Sequence, residues 1–167
     1  IGVYKITQTG FGLLLAGGEN MNVHFIDTSV FAVLLQIPGF NEERREELFK
    51  ELKRITADRE VLILPFATII ESGNHIAHIA EGHQRRETAR RFVDCIEKTV
   101  DGEAPWTYYG EQMTPEELRI MCKDFVSYAQ RKEGFGDLSI VRAYERYKED
   151  TPAVSRIRIW SLDKHLM

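Results

Sequence analysis

Cysteine is scarce in this chain of 167 residues, which contains only Cys95 and Cys122. Two cysteines are too few for a disulfide scaffold, and their spacing is not that of metal ligands. Both are expected to be reduced residues on helix faces, which is typical of cytoplasmic proteins. The sequence therefore predicts a cytoplasmic location.

Long apolar runs are missing as well. The run GFGLLLAGG near the amino terminus is shorter than the roughly 20 residues that a helix needs to span a bilayer, so no membrane association is predicted. Internal repeats, linkers and low-complexity tracts are absent, and so are the P-loop and G-x-G-x-x-G motifs of nucleotide-binding proteins. A composition of 43% hydrophobic and 29% charged residues indicates one soluble globular domain with a real core.

The chain has no strong excess of positive charge, since its formal net charge is -4. This value argues against a protein that coats nucleic acid through a basic surface. It does not exclude a nucleic-acid enzyme, because bound cations reverse the local electrostatics of a site rich in carboxylates.

The two ends of the chain differ from the middle. The run GGENM can be encoded by a purine-rich stretch followed by ATG, which is how a bacterial ribosome-binding site looks. We therefore expect Met21 to be the true start and residues 1–20 to be a translated leader; a genuine amino-terminal extension is the alternative. The core is then a single domain over 21–167, and its abrupt end at DKHLM is compatible with a fragment truncated at the carboxyl terminus.

Hydrophobic periodicity and turn residues predict an alternation of strands and helices. We expect one long loop, over 101–113. Strands are expected over 22–27, 60–65 and 156–163, and helices over 28–37, 41–56, 66–82, 83–100, 114–132 and 137–149. This order predicts a three-layer α/β/α sandwich with a central, mainly parallel sheet.

Four acidic residues are predicted to lie near one edge of this sheet. Asp27 and Asp163 each end a strand, Glu71 lies in the first turns of a helix after a strand, and Asp137 begins a helix. Ligands of parallel sheets bind outside the carboxyl ends of the strands. Clustered carboxylates repel one another unless a cation neutralises them, so the pattern favours a divalent metal site. Taken singly, each acid also has an ordinary role as a helix cap, a turn residue or part of an exposed helix face.

The segments around these acids, HFIDTSVF, ATIIESGNHI, GFGDLSIVRAYE and WSLDKHL, resemble the four acidic motifs of the PIN-domain family in the family's order. The resemblance covers about residues 22–167. It implies a metal-dependent ribonuclease, of which many are toxins of bacterial toxin–antitoxin pairs. Carried over, it makes Asp27, Glu71, Asp137 and Asp163 the acids that bind Mg²⁺ or Mn²⁺.

The same resemblance extends to supporting residues and partners. Thr28 or Ser29 matches a small hydroxyl residue that orients a carboxylate or a water. An antitoxin protein and a homodimer are the implied partners, and the apolar run FAVLLQI, richer than one helix needs, is a further reason to expect a dimer.

An RNA substrate, single-stranded or looped, requires cationic and aromatic contacts. The candidates are Arg86, Arg90, Arg158, Lys164 and Tyr108. Trp106 and Tyr109 stand beside Tyr108 and are further stacking candidates. An ordinary solvated face is the alternative for the arginines, and packing or a partner interface is the alternative for the aromatic residues.

Three other functions are compatible with parts of the sequence. Glu71, His75 and His78 share a helix face and resemble a zinc site, although the H-E-x-x-H motif is absent. An aspartyl phosphatase requires a second Asp two residues after its nucleophile, and Ser29 occupies that position. A PIN-like module that binds nucleic acid or acts as a scaffold without catalysis is the last alternative.

Overall fold

A computed structural model describes residues 22–110, 113–152, 154 and 156–163 of the protein. The expected leader, residues 1–20, lies outside these ranges, as does the predicted substrate contact Lys164. The elements, in chain order, are β1 (Asn22–Ile26), α1 (Thr28–Leu34), a 3₁₀ turn (Glu42–Arg44), α2 (Arg45–Ala57), β2 (Val61–Pro65), α3 (Phe66–Ala77), α4 (Gly82–Val100), β3 (Thr107–Tyr109), α5 (Pro115–Gln130), α6 (Phe135–Asp150) and β4 (Arg156–Trp160).

The four described strands form one parallel sheet in the order β3-β2-β1-β4. With helices on both faces, this sheet confirms the predicted α/β sandwich. Strand β3 was not predicted, because it lies within the expected loop over 101–113. Three residues are too few to give an alternating pattern, and β3 pairs only with β2.

Each face of the sheet buries its own apolar cluster. On one face, the Phe25 ring lies edge-on to Tyr147 of α6 at 5.5 Å between ring centroids, and Val23 and Ile63 pack beside them. The other face holds a larger cluster that includes Ile26, Leu62 and Leu64 and is covered by helices α1 to α4. Helix α5 packs on α6. No helix in the described part of the chain is long and apolar enough to cross a membrane.

The run FAVLLQI, over 31–37, belongs to the larger apolar cluster. All of its residues except Gln36 are buried in the single chain. The apolar richness of this run therefore serves the core, and it no longer supports the expectation of a homodimer.

The order of the strands creates a crevice between β1 and β4. From β1 the chain continues through α1 and α2 to β2 and then to β3 on one side of the sheet, whereas β4 pairs with the opposite side of β1. Open α/β sheets bind ligands at such a switch in strand order, outside the carboxyl ends of the strands. Asp27 follows β1 directly, and Ser161 follows β4.

Candidate functional site

Asp27 lies at the carboxyl end of β1 and is only 3% exposed. It is the N-cap of α1, because its Oδ2 atom accepts a hydrogen bond from the Ser29 backbone N–H at 3.2 Å. The hydroxyls of Ser29 and Ser161 donate to the same oxygen at 2.6 and 2.8 Å. All three of these hydrogen bonds reach Oδ2, and among the described residues none reaches Oδ1. The capping role and a ligand role are therefore compatible.

Two serine hydroxyls connect Asp27 to the segment that follows β4. Ser29 Oγ accepts a hydrogen bond from the Leu162 backbone N–H at 2.9 Å, and Ser161 Oγ accepts one from the Asp163 backbone N–H at 2.8 Å. Because both hydroxyls also donate to Asp27, the first and fourth predicted acids are held in one hydrogen-bond network. The side chain of Asp163 itself is exposed.

Glu71 is half-buried one turn into α3, and Thr28 holds it. Thr28 Oγ1 donates to Glu71 Oε2 at 2.6 Å. The start of α3 is fixed by the buried Thr68, whose hydroxyl donates to the Ile26 carbonyl at 2.8 Å, immediately before Asp27. Thr28 and Ser29 thus both contact carboxylates. Of the two roles predicted for such a hydroxyl, orienting a carboxylate or orienting a water, the structure shows the first.

Asp137 lies in the first turn of α6, whose N-cap is Gly134. Its Oδ2 atom accepts a hydrogen bond from the Gly134 backbone N–H at 2.7 Å. A Cβ atom on the neighbouring Gly136 would overlap the Glu71 carboxylate and force it to move. The absence of a Cβ at residue 136 therefore lets Glu71 and the start of α6 come together.

Electrostatic effects show that the four acids act on one another. Burial raises the pKa of Glu71; Thr28 lowers it by hydrogen bonding, and the charges of Asp137 and Asp27 raise it again. Burial likewise raises the pKa of Asp137, although the hydrogen bond from Gly134 lowers it. The charges of Asp27 and Asp163 raise it further. The structure thus brings all four predicted acids to one edge of the sheet.

The donor chemistry of this cluster suits a hard divalent cation. Carboxylate oxygens are the ligands of Mg²⁺ and Mn²⁺. A cation would offset both the burial and the smaller repulsion between carboxylates that raise the pKa of Glu71 and Asp137. Among the described side chains, no three His, Cys, Asp or Glu already form a group able to hold a metal ion. Mg²⁺ does not need such a cage, because it binds through one or two carboxylates and keeps several waters.

A cleft of about 810 Å³ opens beside the acids. We call it the switch cleft; it is lined by Ser29, Leu162 and Asp163 on one side and by residues 39–42 on the other. Since Ser29 and Asp163 also belong to the acidic site, the switch cleft and the acids form one continuous surface.

The structure does not bring Arg158 to the acids. Its guanidinium donates to Glu51 Oε1 at 2.8 Å and to His24 Nδ1 at 2.5 Å. Arg158 also lies opposite His24 in the register of β4 and β1, halfway along both strands. These contacts tie β4 to β1 and α2. They give Arg158 a structural role and do not support the predicted contact with substrate.

Two of the other predicted substrate contacts, Arg86 and Arg90, lie on α4. Arg86 and Arg90 are exposed on α4, where Arg90 pairs with Glu87 at 2.7 Å, and the neighbouring Arg85 contacts the carbonyl of Ile79 beyond the end of α3. In the described residues, no hydrogen bond or ion pair connects Arg86 or Arg90 to the four acids.

The aromatic candidates of the predicted loop differ in exposure. Tyr108 is 40% exposed on the edge strand β3, and β2 separates it from β1, which is roughly 10 Å at the usual strand spacing. Trp106 is buried against Phe31 and donates to Thr99 Oγ1 at 2.9 Å, so it is a core residue. Tyr109 packs edge-on to Phe25.

The histidines of the alternative zinc site do not assemble with Glu71 in the described residues. His78 Nδ1 lies 2.7 Å from the Asn74 carbonyl oxygen, and the His75 ring lies edge-on to Phe40. The metal-binding group that a zinc enzyme requires is thus missing from this part of the chain.

Three residues of the site were not identified from the sequence. Each makes a contact between distant parts of the chain: Ser161 with Asp27, Gly136 with Glu71, and Thr68 with the Ile26 carbonyl that precedes Asp27. A signal existed only for Ser161, because SLD after β4 repeats the pairing of an acid with a nearby serine seen in DTS after β1.

Comparisons of the chain with protein-family models, with curated proteins and with solved structures found no match. Function is therefore inferred from the geometry and chemistry of the acidic site.

Proposed function

We propose that this protein is a metal-dependent endoribonuclease that hydrolyses phosphodiester bonds of single-stranded or looped RNA at the carboxyl edge of its sheet. The observation that carries the proposal is the proximity of four acids: burial raises the pKa of Glu71 and Asp137, and the charges of neighbouring acids raise it further. A protein without a cation there would carry unrelieved repulsion between carboxylates. The resemblance of the four segments to the PIN-domain family supports the same activity.

The chain's own residues have distinct tasks in this reaction. Asp27 and Asp137 would hold a Mg²⁺ or Mn²⁺ ion directly, Asp27 through the Oδ1 atom that its capping hydrogen bonds leave aside. Glu71 and Asp163 would complete the site as ligands or as acceptors for waters of the ion. The bound cation would supply activation of water and neutralisation of charge on the phosphate. Thr28, Ser29 and Ser161 keep the carboxylates oriented through their hydroxyls.

The test is cleavage of a labelled single-stranded RNA by the purified protein in saturating Mg²⁺ or Mn²⁺ and in EDTA. We expect cleavage that EDTA abolishes. Asp27→Asn should lower it by roughly 100-fold or more, because the ligand charge is lost. Asn still accepts the capping hydrogen bond of α1, so the thermal midpoint should stay close to that of the unmodified protein.

Asp101→Asn is the matched control. Asp101 is exposed at the end of α4 and belongs to no part of the acidic site, so this variant should cleave normally. Full activity of a folded Asp27→Asn protein, or cleavage that persists in EDTA, would refute the proposal. Cation-dependent stabilisation without cleavage of any RNA would favour a non-catalytic module.

A further inference from the structure

The switch cleft has the composition of a site for a nucleobase. Its lining includes Gly39, Phe40, Asn41 and Glu42, together with Asp163. An aromatic ring, an amide and carboxylates match the faces and edges of an uncharged base.

Phe40 offers the stacking surface. It is half-buried, and its ring stands at 85° to the His75 ring with 4.9 Å between centroids. His75 is close enough to Glu71 for its charge to lower the pKa of that carboxyl. The aromatic corner therefore adjoins the acidic site, and the switch cleft reaches the same site through Ser29 and Asp163.

Asn41 and Glu42 offer polar groups toward a base edge. Asn41 precedes the 3₁₀ turn, yet its side chain makes no capping hydrogen bond, so its exposed amide is available. Gly39 adopts φ +87°, a conformation that favours glycine, in the turn that leads to Phe40 and Asn41. Glu42 is 68% exposed, and its nearest cation is Arg45 at 4.0 Å.

We propose that the switch cleft binds one unpaired adenine or cytosine, beside the phosphate that the acids hold. This inference deepens the proposed nuclease function and rests on it. Phe40 stacks on the base, Glu42 accepts a hydrogen bond from the exocyclic amino group, and the Asn41 amide donates to the neighbouring ring nitrogen. Adenine and cytosine carry this pair of an amino donor and a ring-nitrogen acceptor, whereas uracil and guanine carry a carbonyl and a ring N–H there, so adenine and cytosine are preferred.

The first experiment uses uncharged nucleosides without metal, because their binding depends on neither catalysis nor the acids. Saturation-transfer NMR with the full chain should show adenosine and cytidine binding about tenfold tighter than uridine. Asn41→Ala should remove this preference. Phe40→Leu, which keeps an apolar side chain in the core, should weaken binding of all three nucleosides by about tenfold.

Gln130→Ala is the matched control, since it removes an exposed amide at the end of α5. It should leave nucleoside binding unchanged. Equal binding of the three nucleosides, or binding that Asn41→Ala and Phe40→Leu do not alter, would overturn the inference.

The second experiment maps cleavage sites in a mixed-sequence RNA. We expect cuts next to A or C, with Asn41→Ala raising KM at these sites and leaving kcat nearly unchanged. Cleavage by the unmodified protein without any base preference, and without an effect of Asn41→Ala, would overturn the inference and leave the nuclease function standing. If the protein cleaves no RNA at all, the nuclease function fails, and the nucleoside experiment still decides whether the switch cleft binds a base.

Discussion

Glu71 shows how a single side chain couples the fold to the proposed activity. Burial and the charges of Asp137 and Asp27 raise its pKa above the ordinary 4.5, although the hydrogen bond from Thr28 opposes them. The folded protein therefore holds a proton on Glu71 more tightly than the unfolded chain does. Its ionised carboxylate destabilises the metal-free fold at every pH above the raised pKa, and this penalty disappears as the pH falls to about 4.5.

Glu71→Gln tests this at the residue scale. Glutamine keeps the size of the side chain and an oxygen that accepts from Thr28, but it carries no charge. We expect a higher thermal midpoint for the metal-free variant than for the unmodified protein at about pH 7.5, with the difference lost near pH 4.5. Added Mn²⁺ should stabilise the variant less. Glu97→Gln, on an exposed face of α4, should change neither value. A lower metal-free midpoint for Glu71→Gln would contradict the repulsion.

At the scale of an element, the first turn of α6 combines two requirements. It must begin a helix at Gly134 and must also let Glu71 approach its backbone at Gly136. Glycine is a poor helix residue, by about 1 kcal/mol relative to alanine. Its presence at residue 136 therefore favours the site over the stability of the helix.

Gly136→Ala separates these two requirements. The new Cβ would overlap the Glu71 carboxylate, which is the far end of a flexible side chain and can move away. We expect a thermal midpoint that is unchanged or higher, because alanine favours the helix, together with a clear loss of RNA cleavage. Gly82→Ala is the control at the start of α4, where the nearest atom to a new Cβ is 3.8 Å away. Equal activity of the two variants would show that the approach of Glu71 to α6 is unimportant.

At the scale of the whole molecule, a polar network joins β1, β4 and Glu60, the residue before β2, to α2. His24 is 2% exposed; its Nδ1 accepts from Arg158, and its Nε2 therefore donates to Glu60 at 2.5 Å. Burial lowers the pKa of His24 below 6.5, against the hydrogen bond to Glu60. Arg54 and Glu51 close the network by pairing with Glu60 and Arg158. The neutral histidine thus helps to attach β4, which carries Ser161 and Asp163.

The pH dependence of unfolding tests this network. Because the folded pKa of His24 is lowered, its contribution to stability is complete above about pH 6.5 and is lost as the pH falls below that value. We expect the free energy of unfolding to fall more between about pH 7.5 and 5.5 in the unmodified protein than in His24→Gln. The acids of the site titrate equally in both proteins and cancel in this difference. His83→Gln, on the exposed surface of α4, should behave like the unmodified protein. If the free energy of unfolding fell equally with pH in His24→Gln and in the unmodified protein, His24 would not be the group responsible.

Local patterns determined most of the fold. The apolar strands, the capping box at Thr114 and the turn residues predicted every described helix and three of the four strands, because these signals are contained in a few consecutive residues. They also indicated the acids, since the carboxyl ends of parallel strands meet at one edge. Of the described strands, only β3 was not predicted, because its three residues form a strand through pairing with β2.

The tertiary structure decided which polar groups serve the site and which serve the core. Arg158 and Lys164 flank Asp163 in sequence, yet Arg158 pairs with Glu51 and His24, because alternate residues of a strand point to opposite faces and only its end reaches the acidic edge. The apolar run over 31–37 belongs to the core and not to an interface, because other helices cover it. Ser161 reaches Asp27 across 134 positions of the chain. The sequence shows a serine near Asp163, but a contact of that separation leaves no periodicity, so its hydrogen bond to Asp27 depends on the packing of β4 beside β1.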